Sequence, residues 1–235
     1  MTGSRYVGKE LDLFSHAKNW KRYWSSQIRP YVSGDVLEVG AGLGVNAAFL
    51  NSRSSSSWTC LEPDPELAAQ MREKFAAQPA LANCRVESGT TQTPDQRPQF
   101  DTVIYIDVLE HIENDRQELL RASGLLRSEG RLIVLAPAYQ WLYTHFDGAI
   151  GHVRRYTRST LSACTPSGCE LERLFYLDSA GLLASIGSKL FLKQLLPNLK
   201  QILLWDRILV PISRVSDHLT LHGIGRSILA IWKKI

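Results

Sequence analysis

The sequence has little of what commits a chain to a special environment. Its four cysteines, Cys60, Cys84, Cys164 and Cys169, include no C-x-x-C pair. That argues against a zinc site or a disulfide frame and reads as ordinary thiols of a reducing compartment, so no metal is expected. No run of about 18 apolar residues occurs, so no segment should span a bilayer. The opening MTGSRYVGKELDLF has no apolar core of signal-peptide length, and a cytoplasmic protein is the expectation. Net charge is small, +4 over 235 residues. This favours an anionic substrate or surface but is too weak to argue for nucleic acid. No internal repeat is visible.

What is present is a 44% hydrophobic chain, enough for one large α/β domain with a full core. Near the start, Leu13, Trp20, Tyr23, Trp24 and Ile28 recur at roughly helical spacing. They predict one or two helices packed over a nucleotide site, with core packing as the plainer alternative. From Asp35 strands and helices alternate. VLEV, WTCLE, CRVES, FDTVIYI and GRLIVLAP read as strands. GVNAAFLNS, DPELAAQMREKFAAQ (with Asp64 as N-cap) and ENDRQELLRASGLL read as helices. SRSSSSW reads as a polar loop. Such alternation implies a parallel sheet covered on both faces. After Pro137 come an aromatic and basic loop, a short helix in RSTLSAC, a strand in CELERLFYL, a helical stretch broken by Pro197 and Pro211, and a final strand in SILAIWKK.

Glu38, Gly40, Gly42 and Gly44 form E-x-G-x-G-x-G at the end of the first strand. The glycines permit a tight turn and close approach of a ligand. A dinucleotide fingerprint would place its third glycine at position 45, which is Val45. A pyrophosphate over a helix N-terminus would also be poorly served by the Glu38 carboxylate. S-adenosylmethionine is cationic at sulfur and nitrogen and carries no phosphate, so an acid here would attract it directly or through a water. Glu62, ending the second strand, is placed to accept hydrogen bonds from ribose hydroxyls, as either cofactor would require.

On VLEVGAGLG, LEPD, FDTVIYIDVLEHIEND and LLRSEGRLIVLAPA together, the chain from Asp35 onward resembles class I S-adenosylmethionine-dependent methyltransferases. It also resembles a subgroup with GHxRRY (Gly151–Tyr156) after the fifth strand, found beside glycan- and lipid-modifying enzymes. The resemblance implies a Rossmann-like seven-stranded sheet of order 3-2-1-4-5-7-6 with the last strand antiparallel. It implies a single domain: residues 1–33 a helical cap, 34–176 the cofactor-binding core, 177–222 a helical insert or lid, 223–235 the last strand. It places Glu38, Gly40, Ala41, Gly42 and Gly44 round the methionine part of the cofactor and Glu62 at the ribose. Asp107 and Val108 lie under the methionine, Pro63 flanks the adenine, and Thr90 offers it a backbone or hydroxyl contact.

Methyl transfer to an alcohol or phenol is helped by a base, and His152 and His111 are the candidates. Each has a structural alternative, as a loop tie or a loop orienter. Arg154 and Arg155 suit phosphate or carboxylate recognition, or pair with Asp147 or Glu110. Tyr156 follows them. Trp141 and Tyr143, with Tyr139 and Phe146, form either an acceptor-facing wall or the lid's own core. Residues 177–235 hold eight Lys or Arg against Asp178, Asp206 and Asp217, about +5. The insert is expected to pack on the domain or on a second subunit, with peripheral membrane contact as the alternative.

The resulting expectation is methyl transfer from S-adenosylmethionine to a small-molecule, glycan or lipid-linked acceptor, with O-methylation favoured. The alternatives are a NAD-linked oxidoreductase and a non-catalytic relative of the fold that binds a partner or membrane.

Overall fold

The structure is a computed structural model that describes residues 10–51, 55–94, 97–191 and 198–235. Leu192, Leu195 and Leu196 of the expected helical stretch, and its expected break at Pro197, lie outside these residues. Two short helices, α1 (Glu10–Ser15) and α2 (Lys18–Ile28), lead into β1 (Gly34–Val39). Then follow α3 (Val45–Leu50), β2 (Ser55–Glu62), α4 (Pro65–Ala76), β3 (Cys84–Ser88), β4 (Phe100–Ile106), α5 (Asp115–Gly124) and β5 (Leu126–Pro137). The second half holds α6 (His145–Ala149), α7 (Arg158–Ser162), β6 (Cys169–Leu177), α8 (Ser179–Phe191), α9 (Leu199–Leu204), a π-turn at Trp205–Leu209, α10 (Val210–Leu219) and β7 (Ser227–Lys234).

The seven strands form one sheet in the order β3-β2-β1-β4-β5-β7-β6. Strands β1 to β5 pair in parallel, while β7 runs antiparallel to both β5 and β6. This is the expected Rossmann-like arrangement. Between β1 and β4 the strand order reverses direction, and ligands of open α/β sheets bind over such a point.

Strand alternation sorts side chains into two cores. Val36, Trp58, Cys60 and Ile104 face one layer, with Trp24 and Trp205. Leu37, Val39, Val103 and Tyr105 face the other, with Leu119 and Tyr156. Glu38 is two residues from Val36 and pairs in register with Cys60 and Ile104, so the pleat sends it into the first layer.

Two local expectations change. The serine-rich stretch is partly strand: β2 begins at Ser55, and Ser57 Oγ donates to Asp35 Oδ1 at 2.7 Å across to β1. Pro211 does not break the helix. The π-turn before it already loosens the hydrogen-bond ladder, with Val210 N–H reaching back to Trp205 O, so the missing donor is absorbed. Elsewhere local chemistry acts as read: the Asp64 carboxylate caps α4, accepting from Glu66 N and Leu67 N.

Buried acids fasten the insert. Asp206 accepts from the backbone N–H of Asn19 (3.2 Å) and Trp20 (2.8 Å) in the first turn of α2. Asp217 accepts from Tyr23 Oη (2.8 Å) and from Asp178 N and Ser179 N at the start of α8. Each acid supplies a helix N-terminus with an acceptor from another element.

Candidate active site

A cavity opens over the carboxyl ends of β1, β4 and β5. Its floor is Gly40, Ala41, Gly42 and Leu43 after β1, Asp107 after β4 and Pro137 at the end of β5. Leu11, Trp20, Lys21 and Trp24 of the N-terminal helices cover one side; Phe146, Asp147, Ile150, His152 and Arg155 form another; Trp205 and Arg226 close a third. The cap helices therefore pack over the site.

The glycine turn is built by conformation. Gly40, Gly42 and Gly44 all have left-handed φ, +65°, +56° and +64°. A Cβ on Gly40 would meet the Val108 side chain at 2.8 Å, and one on Gly44 would meet Met71 at 2.6 Å. Four of the turn's N–H donors are already spent. Gly40 N and Ala41 N donate to Leu61 O, Gly42 N to Glu62 Oε2 at 2.7 Å, and Gly44 N to Ala41 O. No cradle of these N–H groups is left for a pyrophosphate, and a carboxylate stands where one would sit.

Acids surround this turn. Glu62 also accepts from Asp64 N at 3.0 Å; burial raises its pKa against these two backbone bonds. Asp107 sits in the left-handed region (φ +54°), which Asp tolerates, and its carboxyl is open to the cavity. Burial raises its pKa, and the charge on Lys21 opposes the rise. Glu110 is 0% exposed, both its carboxyl oxygens lack a hydrogen-bond partner, and burial together with the charge on Asp107 pushes it well above the usual range. Lys21 is lowered by burial, opposed by Asp107 and Glu38. The cavity sets Asp107, Glu110 and Asp147 against Lys21, Arg155 and Arg226.

Glu38 corrects the sequence reading. It does not line the cavity. Trp58 Nε1 donates to Oε2 at 3.0 Å and Asn46 Nδ2 to Oε1 at 3.0 Å, within the core layer. Burial lifts its pKa to about 7, against the hydrogen bonds from Asn46 and Trp58. Its route to a ligand runs through Asn46, which does line the cavity.

The loop after β5 converges on Asp147. Arg155 donates to it twice, Nε to Oδ1 at 2.8 Å and Nη2 to Oδ2 at 3.0 Å; Thr144 N and Oγ1 donate to Oδ2; His152 Nδ1 lies 3.0 Å from Oδ1. Burial would raise the Asp147 carboxyl, but the hydrogen bonds from His152 and Arg155 outweigh it and hold it well below the usual range. An ionised Asp147 requires the proton of neutral His152 on Nδ1, which leaves Nε2 as an acceptor. Nε2 lies 3.7 Å from Glu110 Oε1. His111 packs edge-on against His152 at 4.6 Å between ring centroids; burial, then His152, lowers its pKa to about 4, so it is neutral at pH 7. Glu110, His111 and His152 offer ligand atoms within 4.8 Å of one another, a spacing that could hold one metal ion.

Of the acceptor candidates Arg155 and Phe146 line the cavity. Arg154 turns away to Asp115 Oδ2 (2.6 Å) and Glu113 O. Tyr156 is buried, its hydroxyl donating to Asp115 at 2.9 Å. Tyr143 Oη donates to the His152 carbonyl at 2.6 Å, and Trp141 is 52% exposed. Arg154 and Tyr156 face away from the cavity because they alternate with Arg155 along the chain, while Tyr143 ties the loop to the His152 carbonyl. On the cofactor side, Pro63 and Thr90 are exposed beyond the cavity and Val108 packs on Gly40. Sequence reading missed Lys21, Asn46 and Arg226 as cavity residues. Lys21, a cation between two buried tryptophans on α2, was the available signal.

A methyltransferase domain model matches residues 37–132. The mitochondrial ubiquinone biosynthesis O-methyltransferase of Schizosaccharomyces pombe is 28% identical over 101 residues, 42% of this chain and 36% of that protein. Its counterpart in Xanthomonas euvesicatoria pv. vesicatoria is 26% identical over 150 residues, 56% of this chain and 62% of that one. The chain thus spans between about a third and under two thirds of the length of these curated relatives. Among solved structures, a geranyl diphosphate methyltransferase in complex with SAM covers 100% of this chain and 93% of its own, with TM-score 0.67 and 11% identity. The cyclase SpnF superposes almost as well, TM-score 0.63 with 12% identity, over 97% of this chain and 94% of its own. The chain shares the fold of these proteins, and that fold carries more than one chemistry.

Proposed function

We propose that this protein transfers a methyl group from S-adenosylmethionine to the hydroxyl oxygen of a small or lipid-linked acceptor. The observation that carries the reading is the occupied glycine turn: Gly42 N–H is bonded to the Glu62 carboxylate and Asp107 stands on the floor beside it, which suits a cation better than linked phosphates. The antiparallel β7 also departs from the strand order 3-2-1-4-5-6 of dinucleotide folds. The methyltransferase domain match and the O-methyltransferase relatives agree with this assignment.

When bound, the cofactor supplies an electrophilic methyl carbon on a sulfonium. Asp107 and, through Asn46, Glu38 favour its positive end. The Lys21 ammonium, which makes no hydrogen bond or ion pair among the described residues, is placed for its carboxylate. Glu62 stands beside the turn for the ribose, and Thr90 and Pro63 border the adenine. Asp147 fixes the His152 ring so that Nε2 accepts the acceptor's proton as the new C–O bond forms, the task of a general base. Aligning the oxygen with the breaking C–S bond falls to the cavity walls, Phe146, Ile150 and Trp205. Arg226 stacks over the Trp205 ring at 4.4 Å, faces the cavity and is bonded to no carboxylate among the described residues; it suits a negative group on the acceptor. The names of the relatives make an isoprenoid-bearing phenol one concrete candidate. The GHxRRY segment, contributing His152 and Arg155, fits a subgroup whose loop brings both base and anchor.

Titration calorimetry with S-adenosylmethionine and with NAD tests the cofactor. Binding of the first alone is expected; binding of NAD alone overturns the reading. Transfer of label from methyl-labelled cofactor into cell extracts then identifies the acceptor.

A further inference from the structure

The stretch from Leu199 to Leu219 is one continuous 21-residue helical element through its π-turn. Its inner face is committed. Ile202, Trp205, Val210 and Ser213 are buried, and Trp205 lines the cavity. Among the described residues its outer face has no partner, and it is apolar. Leu204, Ile208, Ile212, Val215 and Leu219 are between 50% and 80% exposed. At about 100° per residue these five fall within an arc of about 80°. Lys200, Arg207, Arg214 and His218 are exposed and fall together along one edge of that arc.

The acids of the element are placed oppositely. Asp206 and Asp217 are 3% and 0% exposed, held by Trp20 N and by Tyr23 Oη. The described outer surface therefore carries aliphatic side chains and bases but neither acid of the element. An amphipathic helix with a one-sided basic flank matches the boundary between lipid headgroups and acyl chains. A protein partner fits less well. The apolar face is about 22 Å long and about 10 Å wide, roughly 220 Å², well short of the ~800 Å² per partner of a stable interface.

We propose that this outer face seats the protein on an anionic lipid bilayer, holding the Trp205 wall of the cavity one helix diameter from the lipid. The docking is a property of the surface and stands independently of the methyl-transfer reading.

Co-sedimentation of the full chain with vesicles tests it. Binding is expected to phosphatidylglycerol–phosphatidylcholine vesicles, to be at least about tenfold weaker to phosphatidylcholine alone, and to fall as salt rises from 0.05 to 0.5 M, about a threefold shortening of the screening length. Ile212→Glu with Val215→Glu should abolish it, and Lys200→Gln with Arg207→Gln should weaken it about tenfold. Both pairs should leave thermal unfolding and calorimetric cofactor affinity unchanged. No binding to anionic vesicles, or binding indifferent to both pairs, overturns the proposal. So does a wild-type dimer in solution that Ile212→Glu with Val215→Glu dissolves without any vesicle binding having been present.

Discussion

Glu38→Gln probes the most unusual charge in the fold. Glu38 is 1% exposed, and burial raises its pKa from 4.5 to about 7. The folded chain therefore keeps a proton that the unfolded chain has lost between these two values. Stability from this group is fully present below about pH 4.5 and is lost as pH rises through about 7. A displacement of that size corresponds to about 3 kcal/mol. Glutamine is nearly isosteric: its carbonyl can accept from Trp58 Nε1, and its amide can face Asn46 once the Asn46 amide turns over. Urea unfolding of the ligand-free protein at pH 4.5 and pH 8 gives the comparison. Other raised carboxyls, Asp107, Glu62 and Glu110, add their own slopes to both proteins, so only the difference between variant and wild type is read. Relative to wild type, Glu38→Gln should gain about 3 kcal/mol over this interval. A difference that stays constant with pH would refute the reasoning, because it would mean that Glu38 ionises as freely in the fold as in the open chain.

The remaining expectations concern the site. Gly42→Val should abolish cofactor binding in calorimetry, since it forces a β-branched residue to φ +56° with a new Cβ 3.4 Å from Leu11; unchanged affinity would sink the placement. His152→Ala should lower kcat by roughly 10²-fold or more with little change in cofactor affinity, and Asp147→Asn should lower kcat in the same direction by releasing the ring; equal turnover removes the base assignment. Lys21→Met should weaken cofactor binding about tenfold and leave single-turnover methyl transfer at saturating cofactor unaltered, a split that a merely structural lysine would not produce. Treatment with EDTA should leave turnover unchanged, because the proposed proton transfer uses His152 alone; a loss restored by a divalent ion would assign Glu110, His111 and His152 to metal binding instead.

Much of this fold is written in short-range pattern. The strands β1, β2, β4 and β5 are runs too apolar to be anything but buried in a sheet covered on both faces, and Asp64 before a helical pattern caps α4 whatever surrounds it. The glycine turn is likewise local: three left-handed positions within five residues need glycine wherever they occur. Even the Arg155–Asp147 pair was one of two choices, because eight residues of loop bring few other acids within reach.

Directions and convergences were another matter. Glu38 was read as facing a ligand, yet the pleat carries it beneath Trp58, and only the register with β2 and β4 makes that layer a closed core. Lys21, Asp107 and Arg226 are scattered over some 200 residues and share one cavity solely because the insert's Asp206 grips α2 while β7 enters the sheet beside β5. Trp141, Tyr143, Arg154 and Tyr156 had the right chemistry for an acceptor wall and were turned into scaffolding by neighbours remote in sequence, such as Asp115. Hydrogen-bond donors, caps and periodicities act over a few residues, so the sequence by itself determined the elements and the glycine turn. Which way a charge points, and which distant charges meet, depends on how layers close upon one another, and that only the tertiary structure decided.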